Sequence, residues 1–331
     1  MPVPFAQVAG TTYDVFNGDA DGLCALHQLR LTQPVDAVLV TGVKRDIALL
    51  ERIPSEQPAR IAVLDVSLDA NVTALRRLLD SGSTIEYFDH HAAQQVFSHP
   101  KLRFHWDEAP EVCTSILVDR YLQGRHRIWA AVAAFGDNLE AVGQRLAHEL
   151  GLTETQVEAI HQLGTLLNYN AYGESVSDLH FAPDALFRVL HAYADPFDFI
   201  ATAPAHGVLL DGYREDDARM EGLLPQWSQA CGAIYVLPNQ TWARRVSGIF
   251  ANRLAAGDRH RAWAVLTEQS DGSYSASVRS GAPDAAPAHR FCGGFASGGG
   301  RKLAGGVNRL PAGELERFAA DFFQYFNFCK S

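Results

Sequence analysis

Cysteine is scarce in this chain. Cys24, Cys113, Cys231, Cys292 and Cys329 are odd in number and widely spaced, and no two form a C-x-x-C pair. This excludes a disulfide framework and a zinc-thiolate site, and it makes a reducing cytoplasm the expected location. Long hydrophobic runs are missing as well. No apolar stretch reaches the roughly 18 residues that a membrane span needs, so no membrane partner is expected. The stretch from Met1 to Thr12 has neither a basic flank nor a long apolar core and does not read as a secretory leader. Neither G-x-S-x-G nor a Walker A sequence occurs, so a serine elbow or a P-loop is not the source of any chemistry. Internal repeats and low-complexity tails are absent too.

What is present suits a folded α/β protein. The 331 residues are 47 % hydrophobic, enough for one large core or two ordinary ones, with two favoured. The net charge of −10 argues against a general nucleic-acid coat, and its distribution says more. Residues 1–239 carry 16 Lys/Arg against 31 Asp/Glu, whereas residues 240–310 carry 10 against 4. Either this is ordinary solvated surface, or a cation site in the first part is followed by an anion-gripping surface in the second.

Strand and helix patterns alternate through the first half. Tyr13 to Phe16, Ala37 to Val40, Arg60 to Asp65 and Ile85 to Asp89 read as strands. Leu23 to Leu31, Ile47 to Ile53 and the segment capped by Asp69 and running to Leu79 read as helical. Such alternation predicts a parallel sheet with helices on both faces, with ligands gathering at the carboxyl ends of its strands. Ser98 to Pro110 reads as a loop. Helices are expected over Glu111–Leu122, Trp129–Phe135, Glu140–Leu150, Thr153–Leu167 and Ala185–Ala194. Pro196 and Pro204 break the pattern, so a catalytic domain is expected over residues 1–200 and a connecting segment over 201–228, with a helix from Gly207 to Trp227. A smaller α/β domain is expected over 229–331. Within it the expected elements are a strand at Ala233–Leu237, a helix at Gly248–Ala256, a hairpin turning at Asp271-Gly272 and a last helix at Glu314–Phe326.

Acidic residues follow several of these strands. Asp19 and Asp21 share a tight turn, where they serve either as turn and cap residues or as one ligand each to two neighbouring cations. Asp65 ends a central strand, where a buried carboxylate needs a partner; it either caps the next helix or bridges two cations. Asp89-His90-His91 adds two imidazoles. On extended backbone they point opposite ways, so one would ligate while the other faces substrate or orients the ligand. Asp137 follows the apolar helix from Trp129, and Asn138 beside it can cap. Oxygen-rich ligation with one imidazole suits Mn²⁺ or Mg²⁺. Two such ions ~3.5–4 Å apart suit in-line displacement at phosphorus by a metal-bound hydroxide. In the second half, Arg279 ends a strand, and Gly298, Gly299 and Gly300 precede Arg301 and Lys302. This run is either a plain loop or a backbone cradle for an anion with cations beside it. Phe291 and Phe295 beside it read as core.

Taken together, Asn17-x-Asp19-x-Asp21-Gly22, Asp65, Asp89-His90-His91 and Gly136-Asp137-Asn138 resemble the four motifs of the DHH phosphoesterases. Ser277-Val278-Arg279-Ser280 with Gly298-Gly299-Gly300-Arg301-Lys302-Leu303-Ala304-Gly305 resembles the DHH-associated C-terminal domain of the exonuclease and nanoRNase type. The resemblance spans residue 13 to about 310. It implies a manganese-dependent phosphoesterase with two ions and an active site in a cleft between two domains. The implied substrates are small nucleotides or short single-stranded oligonucleotides. By motif, Asp19 and Asp21 each serve one ion, Asp65 bridges, and His90 and Asp137 complete the shell. His91, with Asp89 and Asp65, belongs to the catalytic group, and His91 faces the scissile phosphate. Asn17, Arg279, Gly298 to Gly300 and Arg301 contact substrate. Asn17 stands where the family's first motif often begins with His or Asp, and Arg301 where the glycine loop usually ends in His. These departures motivate an alternative: a nucleotide- or phosphometabolite-binding protein of the same fold with weak or lost catalysis. A homodimer is compatible with either reading.

Overall fold

The computed structural model describes residues 10–327, so Cys329, most of the stretch from Met1 to Thr12, and the last residues of the expected C-terminal domain lie outside the described residues. The chain divides into two compact units. The first runs to Ala171 and resumes over Ser175–Asp211; the second takes Tyr172–Glu174 and the described residues from Gly212 onward.

The first unit is built on strands β1 (Thr12–Phe16), β2 (Val38–Val40), β3 (Arg60–Leu64), β4 (Thr84–Asp89) and β5 (Leu102–Trp106). All pair in parallel, in the order β2-β1-β3-β4-β5. Helix α1 (Ala20–Thr32) follows β1, and α2 (Leu68–Asp80) follows β3. After β5 come α3 (Thr114–Tyr121), α4 (Arg127–Gly136), α5 (Glu140–Glu149), α6 (Glu154–Tyr169), α7 (Pro183–His191), α8 (Pro196–Thr202) and α9 (Pro204–Met220), the last crossing the division between units. Alternation along each strand supplies both faces of the sheet. Val15, Ile61, Val63, Ile85 and Tyr87 join a core with Leu68, Leu75, Leu78 and Leu79 of α2. Phe16 and Phe88 turn the other way and meet Phe187 of α7 and Tyr121 of α3. The strand order reverses between β1 and β3, so the carboxyl ends of these two strands flank the crevice where such sheets bind ligands.

Several expectations are corrected. Ser98–Pro110 is not all loop, because Leu102-Arg103-Phe104-His105-Trp106 forms the edge strand β5; its alternation of apolar and basic residues suits one covered and one wet face. Pro196 and Pro204 open helices rather than break them, Pro196 at the first turn of α8 and Pro204 at the start of α9, where a missing N–H costs nothing. Asp69 does not cap α2. The cap is Ser67, and the Asp69 carboxylate instead accepts the backbone N–H groups of Gln94 and Gln95. The helix expected to reach Trp227 stops at Met220, with Gly222 left-handed at φ 75°, and Trp227 begins a strand.

The second unit carries β6 (Trp227–Gln229), β7 (Gly232–Leu237), α10 (Thr241–Gly257), β8 (Ala262–Glu268), β9 (Tyr274–Arg279), α11 (Ala288–Cys292), β10 (Gly298–Gly300), β11 (Ala304–Leu310) and α12 (Leu315–Tyr325). Its sheet has the order β10-β11-β9-β8-β7-β6, antiparallel except for the β7–β8 pair. Phe291 and Phe295 join Phe318, Phe322 and Phe326 in its core. Among the described residues no helix is long and apolar enough to cross a membrane.

Candidate metal centre

Each acidic residue of the first unit is placed by the end of a strand or helix. β1 ends at Phe16 and α1 begins at Ala20, so Asp19 becomes the N-cap. Its Oδ1 accepts the N–H groups of Asp21 (3.0 Å) and Gly22 (3.1 Å). Asp21 lies in the first turn, where the helix dipole favours negative charge. Both its oxygens are taken by the opening of α3: Oδ2 accepts from the Thr114 N–H and Oδ1 from the Ser115 N–H, each at 2.7 Å. Asp65 follows β3 with φ at 58°, a left-handed backbone that a non-glycine residue adopts at a cost and that is often held at functional sites. Asp137 is the C-cap of α4, and Asn138 after it takes the left-handed conformation, φ 60°, that closes such helix ends.

His90 gathers these carboxylates. Its Nδ1 lies 2.8 Å from the Val112 carbonyl oxygen, which can only accept, so Nδ1 carries a proton. Its Nε2 faces Asp65 Oδ1 at 3.4 Å, Asp21 Oδ2 at 3.8 Å and Asp137 Oδ2 at 3.9 Å. Three carboxylates brought this close repel one another unless a cation lies between them. A backbone carbonyl on the far ring nitrogen is also how a metal-ligating histidine is usually held. Asp21, His90 and Asp137 form one set able to hold a metal ion, and Asp65, His90 and His91 another. The donor chemistry therefore fits a divalent cation of the Mn²⁺ or Mg²⁺ kind.

Charge in this cluster is strained. Burial, then repulsion from Asp19 and Asp21, pushes the Asp65 carboxyl well above its ordinary range. Asp21 is raised by burial, only partly offset by His90. Asp19 behaves differently. Burial would raise it, but the Lys44 ammonium and the cap hydrogen bonds hold it down at about 2.

The two histidines do not point to opposite sides. β4 ends at Asp89, and beyond it the rings lie 4.7 Å apart, both close to Asp65. Asp89 Oδ1 accepts the backbone N–H groups of His90 and His91 and also meets His91 Nδ1 at 2.7 Å. Burial lowers the His91 pKa, but this hydrogen bond together with the charges of Asp89 and Asp65 outweighs it, and the imidazole is raised. The His91 side chain is 39 % exposed against 3 % for His90, so it is the ring an incoming molecule can reach.

Asn17 lies beside the cluster, its Oδ1 accepting the Asp19 N–H at 3.2 Å and its amide donating to the Lys44 carbonyl at 3.3 Å. Lys44 itself was not singled out from the sequence. Its Nζ is paired with Asp19 Oδ2, donates to Asn168 Oδ1 at 3.1 Å, and sits 4.0 Å from Asp137 Oδ1. A usable signal was there, since Lys44 follows β2 as Asp19 follows β1 and Asp65 follows β3. Thr114 and Ser115, which position Asp21, carried no such signal because they act through backbone N–H groups.

The remaining expected residues belong to the second unit. The Arg279 guanidinium donates to Asn252 Oδ1 (2.7 Å) and to the carbonyls of Val278 and Gly248, and burial lowers its pKa. Gly298, Gly299 and Gly300 are not an open loop but the edge strand β10, paired with Val307, Gly306 and Gly305. Glycine is needed there. A Cβ on Gly298 would lie 1.8 Å from the Cys292 carbonyl oxygen, and Gly300 has φ 136°. Arg301 follows exposed, its N–H bonded to the Ala304 carbonyl at 2.7 Å, and Lys302 pairs with Asp284 at 3.1 Å.

No protein-family model and no curated protein matches the chain. Solved structures do. The exonuclease RecJ bound to manganese superposes with a TM-score of 0.61 at 17 % identity, covering 96 % of this chain and 90 % of that one. RecJ from Thermus thermophilus in complex with Mn²⁺ gives 0.57 at 18 % identity; 96 % of this chain is covered but only 52 % of that one. The pGpG-specific phosphodiesterase PggH from Vibrio cholerae gives 0.54 at 13 % identity, with 96 % and 99 % covered. The chain has the fold of these proteins: a parallel five-stranded α/β unit followed by a second unit with a mixed sheet.

Proposed function

We propose that this chain is a DHH-family phosphoesterase, a hydrolase that depends on a divalent cation and cleaves phosphoester bonds of small nucleotides or short single-stranded oligonucleotides. The observation that carries the reading is the convergence on His90 Nε2 of three buried or half-buried carboxylates, with the ring held through Nδ1 by the Val112 carbonyl. The superposed proteins, an exonuclease and a pGpG-specific phosphodiesterase, support the substrate class.

Asp21, Asp65, His90 and Asp137 would hold the ion. When bound, it would polarise the attacking water and take up charge on the phosphoryl oxygens. The protein's own groups do the rest. The opening of α3 fixes Asp21, and the Val112 carbonyl fixes the His90 tautomer, so neither ligand must reorganise as charge develops. Asp89 accepts from His91 Nδ1 and raises the pKa of the ring, which favours the protonated form whose Nε2–H would donate to the departing oxygen. In the second unit, Arg279 and the β10 edge with Arg301 are assigned to substrate contact, where Arg301 suits a phosphate. Cys24, Cys113, Cys231 and Cys292 are buried and none is in a disulfide, which supports a cytoplasmic location.

The test is hydrolysis of a panel of mononucleotides, dinucleotides and short oligonucleotides with added Mn²⁺, with Asp65→Asn as control. Turnover that needs the metal and falls by at least ~10²-fold in the variant is expected, since a ligand charge next to the reacting phosphate is lost. Full activity of Asp65→Asn would remove Asp65 from the site. Binding of these ligands without any product would move the chain to the catalytically silent reading.

A further inference from the structure

We propose that Lys44 occupies the place of a second metal ion: the centre takes one divalent cation, among Asp21, Asp65, His90 and Asp137, and the Lys44 ammonium supplies the positive charge beside Asp19. The inference rests on the hydrolase reading above and sharpens it.

Both Asp19 oxygens are engaged, and unlike Asp21, whose two partners are neutral backbone N–H groups, Asp19 has a cation among its partners. Oδ1 accepts the two cap hydrogen bonds from Asp21 and Gly22, and Oδ2 meets Lys44 Nζ. Asn17, the nearest neutral oxygen donor on the same turn, has its amide oxygen bonded to the Asp19 N–H and its nitrogen bonded to the Lys44 carbonyl. The turn thus locks to the lysine loop from both ends. That loop is tied down further, by the Lys44 N–H on the Ala171 carbonyl at 2.9 Å and by Lys44 Nζ on Asn168 Oδ1 at 3.1 Å, so the ammonium is positioned by α6 as well as by Asp19. Asp19 accordingly appears in neither set of side chains spaced to grip an ion. The contrast with His90 is chemical. Around His90 Nε2 three carboxylates face one another and call for a cation, whereas Asp19, which also borders Asp65, already has a cation of the chain beside it.

A fixed ammonium differs from a second ion in ways that matter. It cannot accept a lone pair and so cannot lower the pKa of a bound water, but it donates hydrogen bonds and stays in place when metal is scarce. Its Nζ lies 4.0 Å from Asp137 Oδ1, a carboxylate assigned to the ion, so its charge acts on the same site. Lys44 would therefore stabilise charge on the phosphate without taking part in activating water.

Manganese titration of the whole chain by calorimetry and electron paramagnetic resonance tests this. The wild type is expected to bind one Mn²⁺ per chain with an uncoupled, mononuclear spectrum. Asp19→Asn keeps the cap and should leave Mn²⁺ affinity within about 3-fold, whereas Asp21→Asn should weaken it by at least ~10-fold. Lys44→Met, which removes the charge but little volume, should admit a second, weaker Mn²⁺ with a spin-coupled spectrum. Two coupled ions in the wild type, an Asp19→Asn loss as large as that of Asp21→Asn, or a Lys44→Met chain that still takes a single ion would each overturn the proposal while leaving the hydrolase reading intact. Failure of the wild type to bind Mn²⁺ at all would remove both.

Discussion

His27 shows what burial does to a titratable side chain away from the metal centre. It has no exposed surface and packs edge-on against Trp129 at 4.4 Å, with its Nδ1 3.1 Å from Nδ1 of His191. Burial above all, then the neighbouring His191, pushes its pKa from 6.5 down to about 3. Between those values the unfolded chain binds a proton that the folded chain does not. The contribution to stability is therefore complete above pH 6.5 and is lost as pH falls toward 3. One such group costs about 1.4 kcal/mol per pH unit, so roughly 2 kcal/mol disappears between neutral pH and about pH 5. Urea unfolding of wild type and His27→Leu at about pH 7 and pH 5 isolates the term, because the other titrating groups largely cancel. The wild type should lose about 2 kcal/mol more than the variant. An equal loss in both would show that His27 is protonated in the fold.

Elements position the metal centre by close backbone approach. A Cβ on Gly136, the last residue of α4, would lie 2.3 Å from Ala20 Cβ of α1 and 2.8 Å from the Gly164 carbonyl oxygen of α6. Gly136 thus lets α4 approach both helices closely, and the next residue is Asp137. Gly136→Ala should cost about 1–3 kcal/mol by overpacking, and it should also weaken Mn²⁺ binding, because a shift of α4 that relieves the clash carries Asp137 with it. Gly143→Ala on α5, whose Cβ would meet only the Phe135 ring at 2.6 Å, serves as control. It should lose stability without the same loss of metal affinity, and a matching loss in both would assign the effect to general loosening.

The same elements explain what could be read in advance. β1, β3 and β4 are short, largely apolar runs with polar residues at or just beyond their ends, so those ends stood out, and with them Asp19, Asp65 and His90. β5 did not stand out, because an edge strand with Arg103 and His105 on it looks like loop composition. Pro196 and Pro204 misled because the same residue stops one helix and starts another, and only the next turn decides which. Lys44 escaped although the strand before it was legible, because a lysine beyond a short strand reads as ordinary solvated surface.

At the scale of the whole molecule, charge is the organising feature. The net charge is −10, yet residues 240–310 carry 10 basic against 4 acidic residues. An anionic substrate is repelled by the molecule as a whole and attracted by that stretch, so binding should depend on salt through contacts made there. KM for a short oligonucleotide should rise with added salt, and more steeply than KM for a dinucleotide, because more phosphates are neutralised on binding. Arg301 is exposed and follows the β10 edge, so on the proposed assignment Arg301→Ala removes one such contact. It should raise KM more than it lowers kcat, as expected for an interaction shared by bound substrate and transition state. It should also reduce the slope of log KM against log salt for the oligonucleotide by about one unit. A variant with the slope of the wild type, whatever its KM, would mean that Arg301 supports the β10 edge rather than a phosphate.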